Sequence, residues 1–160
     1  MDIYKRKIMD VSTFLNYRHA WLRHCKVVFT NGCFDLLHAG HVDYLQKSKN
    51  LGNVLVVGLN SDISVRRLKG AGRPVNNQED RALVLAGLAS VDYVLIFEED
   101  TPYKLIKGLE PDILVKGGDW SVERIIGRDV VWDRGGQVQS IPLLKGYSST
   151  AIIERIRAQS

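Results

Sequence analysis

One stretch of the sequence decides the fold: Lys26-Val27-Val28-Phe29-Thr30-Asn31-Gly32-Cys33-Phe34-Asp35-Leu36-Leu37-His38-Ala39-Gly40-His41. Its first six residues form a short run rich in apolar, β-branched side chains, which predicts a buried strand. The residues from 41 to 50 then show helical spacing, with lysines on the outer face. A buried strand is therefore followed by a tight turn and the start of a helix.

The rest of the chain repeats this alternation of apolar runs and helical patterns. Strands are predicted at residues 54–60, 91–97, 112–116 and 137–141, and helices at residues 62–68, 77–90, 103–109 and 148–158. Nearly continuous apolar strands separated by helices are typical of a parallel sheet that is covered on both faces. The sequence therefore predicts α/β architecture: a single Rossmann-like mononucleotide-binding domain with a five-stranded parallel sheet and helices on both faces.

The positive charge of the chain is concentrated at its N-terminus. The net charge is +4, and residues 1–26 hold six basic and two acidic residues, so the remainder is neutral. We therefore predict a basic helical arm over residues 1–25 and the α/β domain over residues 26–160. A charge confined to an arm does not form a basic face across the domain, which disfavours a nucleic-acid partner. In this arm Phe14, Trp21 and Leu22 have helical spacing, which favours a homodimer.

Several classes of protein are disfavoured by simple patterns. No apolar run approaches the ~18 residues of a membrane helix, and the N-terminal residues lack the apolar core of a signal peptide. Cys25 and Cys33 are the only cysteines, and they do not have the spacing of metal ligands. We expect reduced thiols in a cytoplasmic protein that does not enter a membrane.

The segment after the first strand has the chemistry of an anion site. Ligands of open parallel sheets bind beyond the carboxyl ends of the strands, and a helix N-terminus there attracts phosphate. Gly32 and Gly40 permit close approach of the backbone. His38 and His41 lie three residues apart, so imidazoles on one side of the first helical turn can stabilise a leaving pyrophosphate. Without further context, an isolated pair of histidines is more often a cap and a surface residue.

The motif GCFDLLHAGH at residues 32–41 resembles the GxFDxxHxGH signature of the cytidylyltransferase-like nucleotidyltransferase superfamily. The resemblance implies that residues 26–160 are a nucleotidyltransferase domain, with His38, His41 and Lys69 as catalytic residues. It also implies that the nucleotide is bound by Asn31, Gly32, Cys33, Phe34, Asp35, Gly40, Arg73, Lys116, Ser148, Ser149 and Thr150. Relatives carry an arginine near residue 145, where this chain has Lys145, so Lys145 is the candidate cation of that loop.

Four longer segments of the sequence indicate a particular group within this superfamily. Residues 68–94, 97–106, 111–120 and 148–156 look like the adenylyltransferase domain that makes ADP-heptose. The implied reaction moves AMP from ATP, with Mg²⁺, to D-glycero-D-manno-heptose 1-phosphate and releases pyrophosphate. The implied sugar-phosphate ligands are Asp62, Lys116, Gly117, Gly118, Asp119 and Trp120, and no metal ion is assigned to protein side chains. In many relatives this domain is fused to a sugar kinase. Residues 1–160 contain only the one α/β domain, so a separate sugar kinase is expected to supply the substrate.

Other functions stay open at this point. The nearest alternative is a cytidylyltransferase that acts on glycerol 3-phosphate or a similar polyol phosphate. A nucleotide-sensing module without turnover, and a nucleic-acid binder recruited by the basic arm, are further alternatives. The heptose anomer, α or β, is open as well.

Overall fold

A computed structural model describes residues 2–160 of the chain as alternating strands and helices. Within this range the strands are β1 (Ile8–Met9), β2 (Val27–Gly32), β3 (Val54–Asn60), β4 (Tyr93–Phe97), β5 (Ile113–Gly117) and β6 (Gln137–Ile141). The α-helices are α1 (Val11–Trp21), α2 (Ala39–Lys49), α3 (Asp62–Lys69), α4 (Gln78–Ala86), α5 (Tyr103–Leu109), α6 (Arg128–Asp133) and α7 (Ser149–Gln159). Single 3₁₀ turns span Tyr4–Lys7 and Val122–Arg124.

All strands pair in parallel, in the order β1-β4-β3-β2-β5-β6. Strand β2 lies between β3 and β5, and Val28 aligns with Leu55 on one side and Ile113 on the other. The chain moves outward from β2 to β3 and β4, then returns across the sheet to β5. The order reverses at β2 and β5, where an open parallel sheet forms its ligand crevice.

The predicted parallel sheet with helices on both faces is confirmed, but the predicted number of five strands is wrong. The additional strand, β1, is two residues long and pairs Ile8 with Val94 and Met9 with Leu95 at the edge of the sheet. Two residues inside a basic segment are too few to show the alternation that identifies a strand.

The segment predicted as an N-terminal arm contributes to the core of the domain. Phe14 is fully buried and Leu22 nearly so. The buried Arg18 guanidinium donates a 3.2 Å hydrogen bond to Asp112, just before β5. Trp21 stays on the surface with 74% of its area exposed. Of the three apolar residues expected to support a dimer, two are therefore used inside the domain.

The two faces of the sheet bury different side chains. On one face Val28, Leu55 and Val115 pack with Leu45 of α2 and Leu85 of α4. On the other face the neighbouring strand residues pack with α1, α5 and α6; this second cluster includes Phe14, Phe29, Val56, Ile106, Leu114 and Val131. Because strand side chains alternate between faces, both layers form from continuous apolar strands. None of the helices within residues 2–160 combines the length and apolar character needed to cross a membrane.

Candidate active site

An open cleft of about 510 Å³ lies at the carboxyl ends of the strands. Its lining residues come from the turn after β2, the start of α2, the end of α3, the end of β5 and the start of α7. They are Asn31, Gly32, Cys33, Phe34, Asp35, His38, His41, Tyr44, Asn60, Leu68, Lys69, Arg73, Asp100, Thr101, Pro102, Lys116, Gly117, Ile126, Leu143, Tyr147, Ser148, Ser149 and Thr150. The volume is in the range of small-molecule sites.

The turn after β2 has a tightly folded backbone. Phe34 has a φ of +44°, a left-handed conformation that is unfavourable for a residue with a side chain. Its buried ring lies 5.2 Å from the His41 ring, edge to face. A Cβ atom at Gly32 would lie 2.9 Å from that ring. A glycine is therefore required for the Phe34 side chain to fold back against the histidine.

His38 and His41 form a stacked pair at the start of α2. Their ring centroids are 3.8 Å apart and the ring planes differ by 18°. A Cβ atom at Gly40 would lie 3.0 Å from His38 Nδ1 and 3.1 Å from Tyr147 Cβ. Gly40 therefore lies behind the histidine pair and not in the cleft. In this position the absence of a side chain lets the loop before α7 pack against the first turn of α2.

The two imidazoles are held in their neutral form. Burial lowers the pKa of His38, and burial together with the nearby His38 lowers the pKa of His41 to about 4. The Nδ1 atoms of both rings are buried without a hydrogen-bond partner in the part of the chain that the structure describes. Because an anion near the rings would favour protonation and accept their N–H groups, this site is suited to phosphate.

The Asp35 carboxylate fixes the loop at residues 70–76, which contains Gly70 and Gly72 and lies between α3 and α4. It accepts hydrogen bonds from Arg73 Nε at 2.7 Å and from the backbone N–H groups of Val75 and Asn76, at 2.8 Å and 3.0 Å. Burial raises the pKa of Asp35, but these N–H donors and the Arg73 charge outweigh it and leave the pKa below its usual value. Asp35 therefore acts on the position of the loop that follows Lys69, since its own oxygens are occupied.

Arg81 is a buried residue of α4 that the sequence did not single out for the site. Its guanidinium donates to the carbonyl oxygens of Cys33, Asn60 and Asn76, at 2.7, 2.9 and 3.0 Å, and to Asp62 at 2.7 Å. One side chain thus ties together three segments around the cleft. Asp62, predicted to bind the sugar phosphate, is paired with Arg81 and does not line the cleft. The sequence feature that could have identified Arg81 is its position on the inner face of an amphipathic helix.

The start of α7 closes the cleft on the side of α2. Ser148 Oγ caps the helix by accepting the Ala151 N–H at 2.9 Å, and Ser149 Oγ donates to the Leu36 carbonyl at 2.8 Å. The second bond joins the helix N-terminus to the turn that carries the histidines. The positive end of the α7 dipole and its first N–H groups therefore face the same space as the histidine pair.

Lys116, the last residue but one of β5, has an ammonium group with no carboxylate within ion-pair distance among residues 2–160. Burial lowers its pKa, which disfavours the charge until an anion approaches. Its Nζ lies 5.8 Å from the centroid of the Trp120 ring. Trp120 lines an adjoining pocket, and Gly118 and Asp119 line neither space.

Several lining residues were not predicted. Tyr44 bonds the Thr30 hydroxyl, and burial raises its pKa to about 12; as an apolar-looking position inside α2 it gave no polar signal. Asp100 pairs with Arg67 at 2.7 Å. The described residues contain no group of three or more side chains arranged to bind a metal ion, and the Asp35 and Asp100 carboxylates are both engaged.

The sequence matches a known protein family and several curated relatives. Residues 29–155 match the cytidylyltransferase-like family. The bifunctional protein HldE of Wolinella succinogenes is 59% identical over 132 residues, which cover 82% of this chain and 27% of that protein. The bifunctional protein HldE of Mesorhizobium japonicum is 54% identical over 158 residues, which cover 98% of this chain and 32% of that protein.

A solved structure has a similar fold. The lipopolysaccharide core biosynthesis protein from Thermoplasma volcanium superposes with a TM-score of 0.60 at 28% identity, over 78% of this chain and 99% of that one. The chain spans about a quarter to a third of the length of the curated relatives it matches. The matched residues include the strand, the turn, both histidines and the start of α7. The chain belongs to the cytidylyltransferase-like family.

Proposed function

We propose that the chain is an adenylyltransferase that moves AMP from ATP to D-glycero-D-manno-heptose 1-phosphate, giving ADP-heptose and pyrophosphate. The observation that carries the proposal is the cleft in which neutral His38 and His41, the N-terminus of α7 and unpaired Lys116 face one space. Family membership supports nucleotidyl transfer. The HldE relatives, and the resemblance of residues 111–120 to the domain that makes ADP-heptose, support the choice of acceptor.

The chemistry needs no covalent intermediate. An oxygen of the acceptor phosphate attacks the α-phosphorus of ATP, and the bond from that phosphorus to the oxygen bridging to the β-phosphorus breaks. That bridging oxygen keeps the electron pair and leaves with pyrophosphate. Because a phosphate monoester is already ionised at neutral pH, no general base is required. The protein then contributes alignment of the two phosphates and stabilisation of the charge that develops on the leaving group.

Each part of the cleft receives a role in this scheme. His38, His41 and the first N–H groups of α7 bind the triphosphate, and Lys69 approaches it from the end of α3. Arg73, fixed by Asp35, adds positive charge from the loop. Lys116 takes the acceptor phosphate. Mg²⁺ would enter as part of the MgATP substrate and would neutralise part of the triphosphate charge.

We propose a preceding reaction and a location for this chain, and the homodimer remains to be tested. A sugar phosphate requires a kinase before this step, and we propose a sugar kinase as its source. ATP and sugar phosphates are cytoplasmic metabolites, so we propose that the enzyme works in the cytoplasm. The homodimer stays a prediction that rests on exposed Trp21, and light scattering of the wild type and Trp21→Ala would test it.

The test is release of pyrophosphate from ATP or CTP, measured against heptose 1-phosphate, hexose 1-phosphates and glycerol 3-phosphate. We expect ATP with heptose 1-phosphate to give the highest kcat/KM. A higher kcat/KM for CTP with glycerol 3-phosphate would replace the proposal by the cytidylyltransferase alternative.

A further inference from the structure

A smaller pocket of about 100 Å³ opens beside the cleft. It lies between the ends of β2 and β5, the start of α5 and the 3₁₀ turn Val122–Arg124. We call it the indole pocket, and its principal lining residues are Asn31, Lys116, Trp120, Arg124, Ile125 and Ile126.

The indole pocket lies mainly on the sheet face opposite that of the histidine pair. Ile125 and Leu114 belong to the core cluster that packs with α1, α5 and α6. The histidines stand on α2, whose residues Tyr44 and Leu45 belong to the other cluster. Four residues line both the cleft and the indole pocket: Asn31, Pro102, Lys116 and Ile126. A ligand in the pocket therefore reaches the phosphate site over the ends of β2 and β5.

This arrangement suits the two partners of an in-line displacement. The leaving pyrophosphate needs positive charge and N–H donors, which the histidines and the start of α7 provide on one face. The attacking phosphate must approach the α-phosphorus from the opposite side. Lys116, between the two spaces, is the cation placed to hold it there.

The walls of the indole pocket match the carbon skeleton of a sugar. Trp120 is fixed by two hydrogen bonds, each 3.1 Å long: its Nε1–H donates to the Gly117 carbonyl, and its backbone N–H donates to Ser140 Oγ. Its half-exposed ring offers a flat apolar surface for the C–H face of a sugar. Ile125 and Ile126 add aliphatic walls. Arg124 is exposed and forms no ion pair within residues 2–160, so its N–H groups are free for hydroxyl oxygens.

The volumes of the two spaces support different occupants for the cleft and for the indole pocket. The cleft, at about 510 Å³, is in the range of complete ligand sites, which begins near 300 Å³. The pocket, at about 100 Å³, holds roughly three water volumes and can take only part of a ligand.

We propose that the indole pocket seats the hydroxylated carbon skeleton of the acceptor sugar phosphate, with Arg124 as a specificity-determining residue, and that the nucleotide base binds elsewhere in the cleft. This inference rests on the proposed adenylyltransferase function. It names the residues that select the acceptor.

Steady-state kinetics distinguish a loss of acceptor binding from a loss of ATP binding. Arg124→Ala should raise the KM for heptose 1-phosphate about tenfold or more, the loss expected for hydrogen bonds from a charged donor, and leave the KM for ATP within about twofold. Arg124→Lys should recover part of the loss. The matched control is Arg23→Ala, because Arg23 is an exposed arginine just before β2, at the amino-terminal end of the strands and so away from the cleft; it should change neither constant.

Binding without turnover distinguishes this inference from the proposed function. Heptose 1-phosphate is titrated without ATP while tryptophan fluorescence is recorded. The wild type should show a saturable change that Trp120→Phe abolishes and Arg124→Ala shifts to about tenfold higher concentration. If this pattern appears but no pyrophosphate is released, the proposed reaction fails and the pocket assignment stands. If the wild type turns over and Arg124→Ala raises only the KM for ATP, or neither KM, the assignment is overturned. No turnover and no titration would overturn both.

Discussion

Replacement of Asp35 by Asn tests how the cleft is held together. The Asp35 side chain is 1% exposed and its oxygens accept hydrogen bonds from Arg73 Nε, Val75 N and Asn76 N. An amide of the same shape keeps one acceptor oxygen and turns an NH₂ group toward these donors. Removal of one partner of a buried ion pair costs about 3–5 kcal/mol. Because the Arg73 side chain is 15% exposed and can turn toward water, we expect a loss of about 3 kcal/mol.

Urea unfolding at pH 7.5 and thermal melts measure this loss. For a chain of this size, about 3 kcal/mol corresponds to a fall in Tm of roughly 6–12 °C. The matched control is Asp100→Asn, since Asp100 also bonds an arginine Nε at 2.7 Å, but with side chains 63% and 48% exposed. An exposed pair contributes about 0–1 kcal/mol. Equal losses in the two variants would refute the role assigned to Asp35.

The pH dependence of this difference has a definite sign. The pKa of Asp35 lies below its usual value in the folded protein, so the unfolded chain binds the proton more readily. The carboxylate therefore stabilises the fold above the unfolded pKa of about 3.9 and loses this contribution as the pH falls through the folded pKa. The stability gap between the wild type and Asp35→Asn should narrow below about pH 4.

Further predictions concern the histidines, the glycine between them and the buried arginine. His41→Ala should lower kcat for pyrophosphate release by about 10²–10³, while the free energy of unfolding changes by less than about 1 kcal/mol; equal damage to both would make the histidine structural. Because the pKa of His41 is lowered to about 4, the unfolded state binds more protons between pH 6.5 and 4, so stability should fall as the pH falls through that interval, and less so in His41→Asn. Gly40→Ala should raise the KM for ATP about tenfold, since the new Cβ would lie 3.0 Å from His38 Nδ1 and 3.1 Å from Tyr147 Cβ; unchanged kinetics would show that the close approach is dispensable. Arg81→Lys should cost about 3 kcal/mol in urea unfolding, because an ammonium cannot reach all four acceptors; a loss near zero would contradict its role in joining the three segments.

The sheet, and the placement of His38 and His41 in the cleft at its carboxyl ends, could be predicted from the sequence because both depend on local patterns. The apolar strands and the segment His38-Ala39-Gly40-His41 are continuous in sequence, so their periodicity and spacing are visible directly. Strand β1 escaped prediction because it is two residues long and gains its stability from β4, over 80 residues away.

The contacts that position the site could not be predicted from local patterns. Asp35 acts on a loop about 40 residues further along the chain, so its motif position suggested ligand binding instead. Arg81 shows only as one polar residue in an amphipathic helix, and its four acceptors lie in segments that tertiary folding brings together. The indole pocket forms where Trp120 and the following 3₁₀ turn fold against β5, in a stretch without a clear period.

The most direct test of the central claim is ³¹P NMR of the wild-type protein incubated with MgATP and heptose 1-phosphate, each anomer in a separate sample. We predict, with one anomer at least, the paired resonances of a nucleoside diphosphate sugar together with an equal amount of pyrophosphate, and no such product from His41→Ala over the same time. Absence of the product with both anomers, alongside a cytidine diphosphate product from CTP and glycerol 3-phosphate, would contradict the claim.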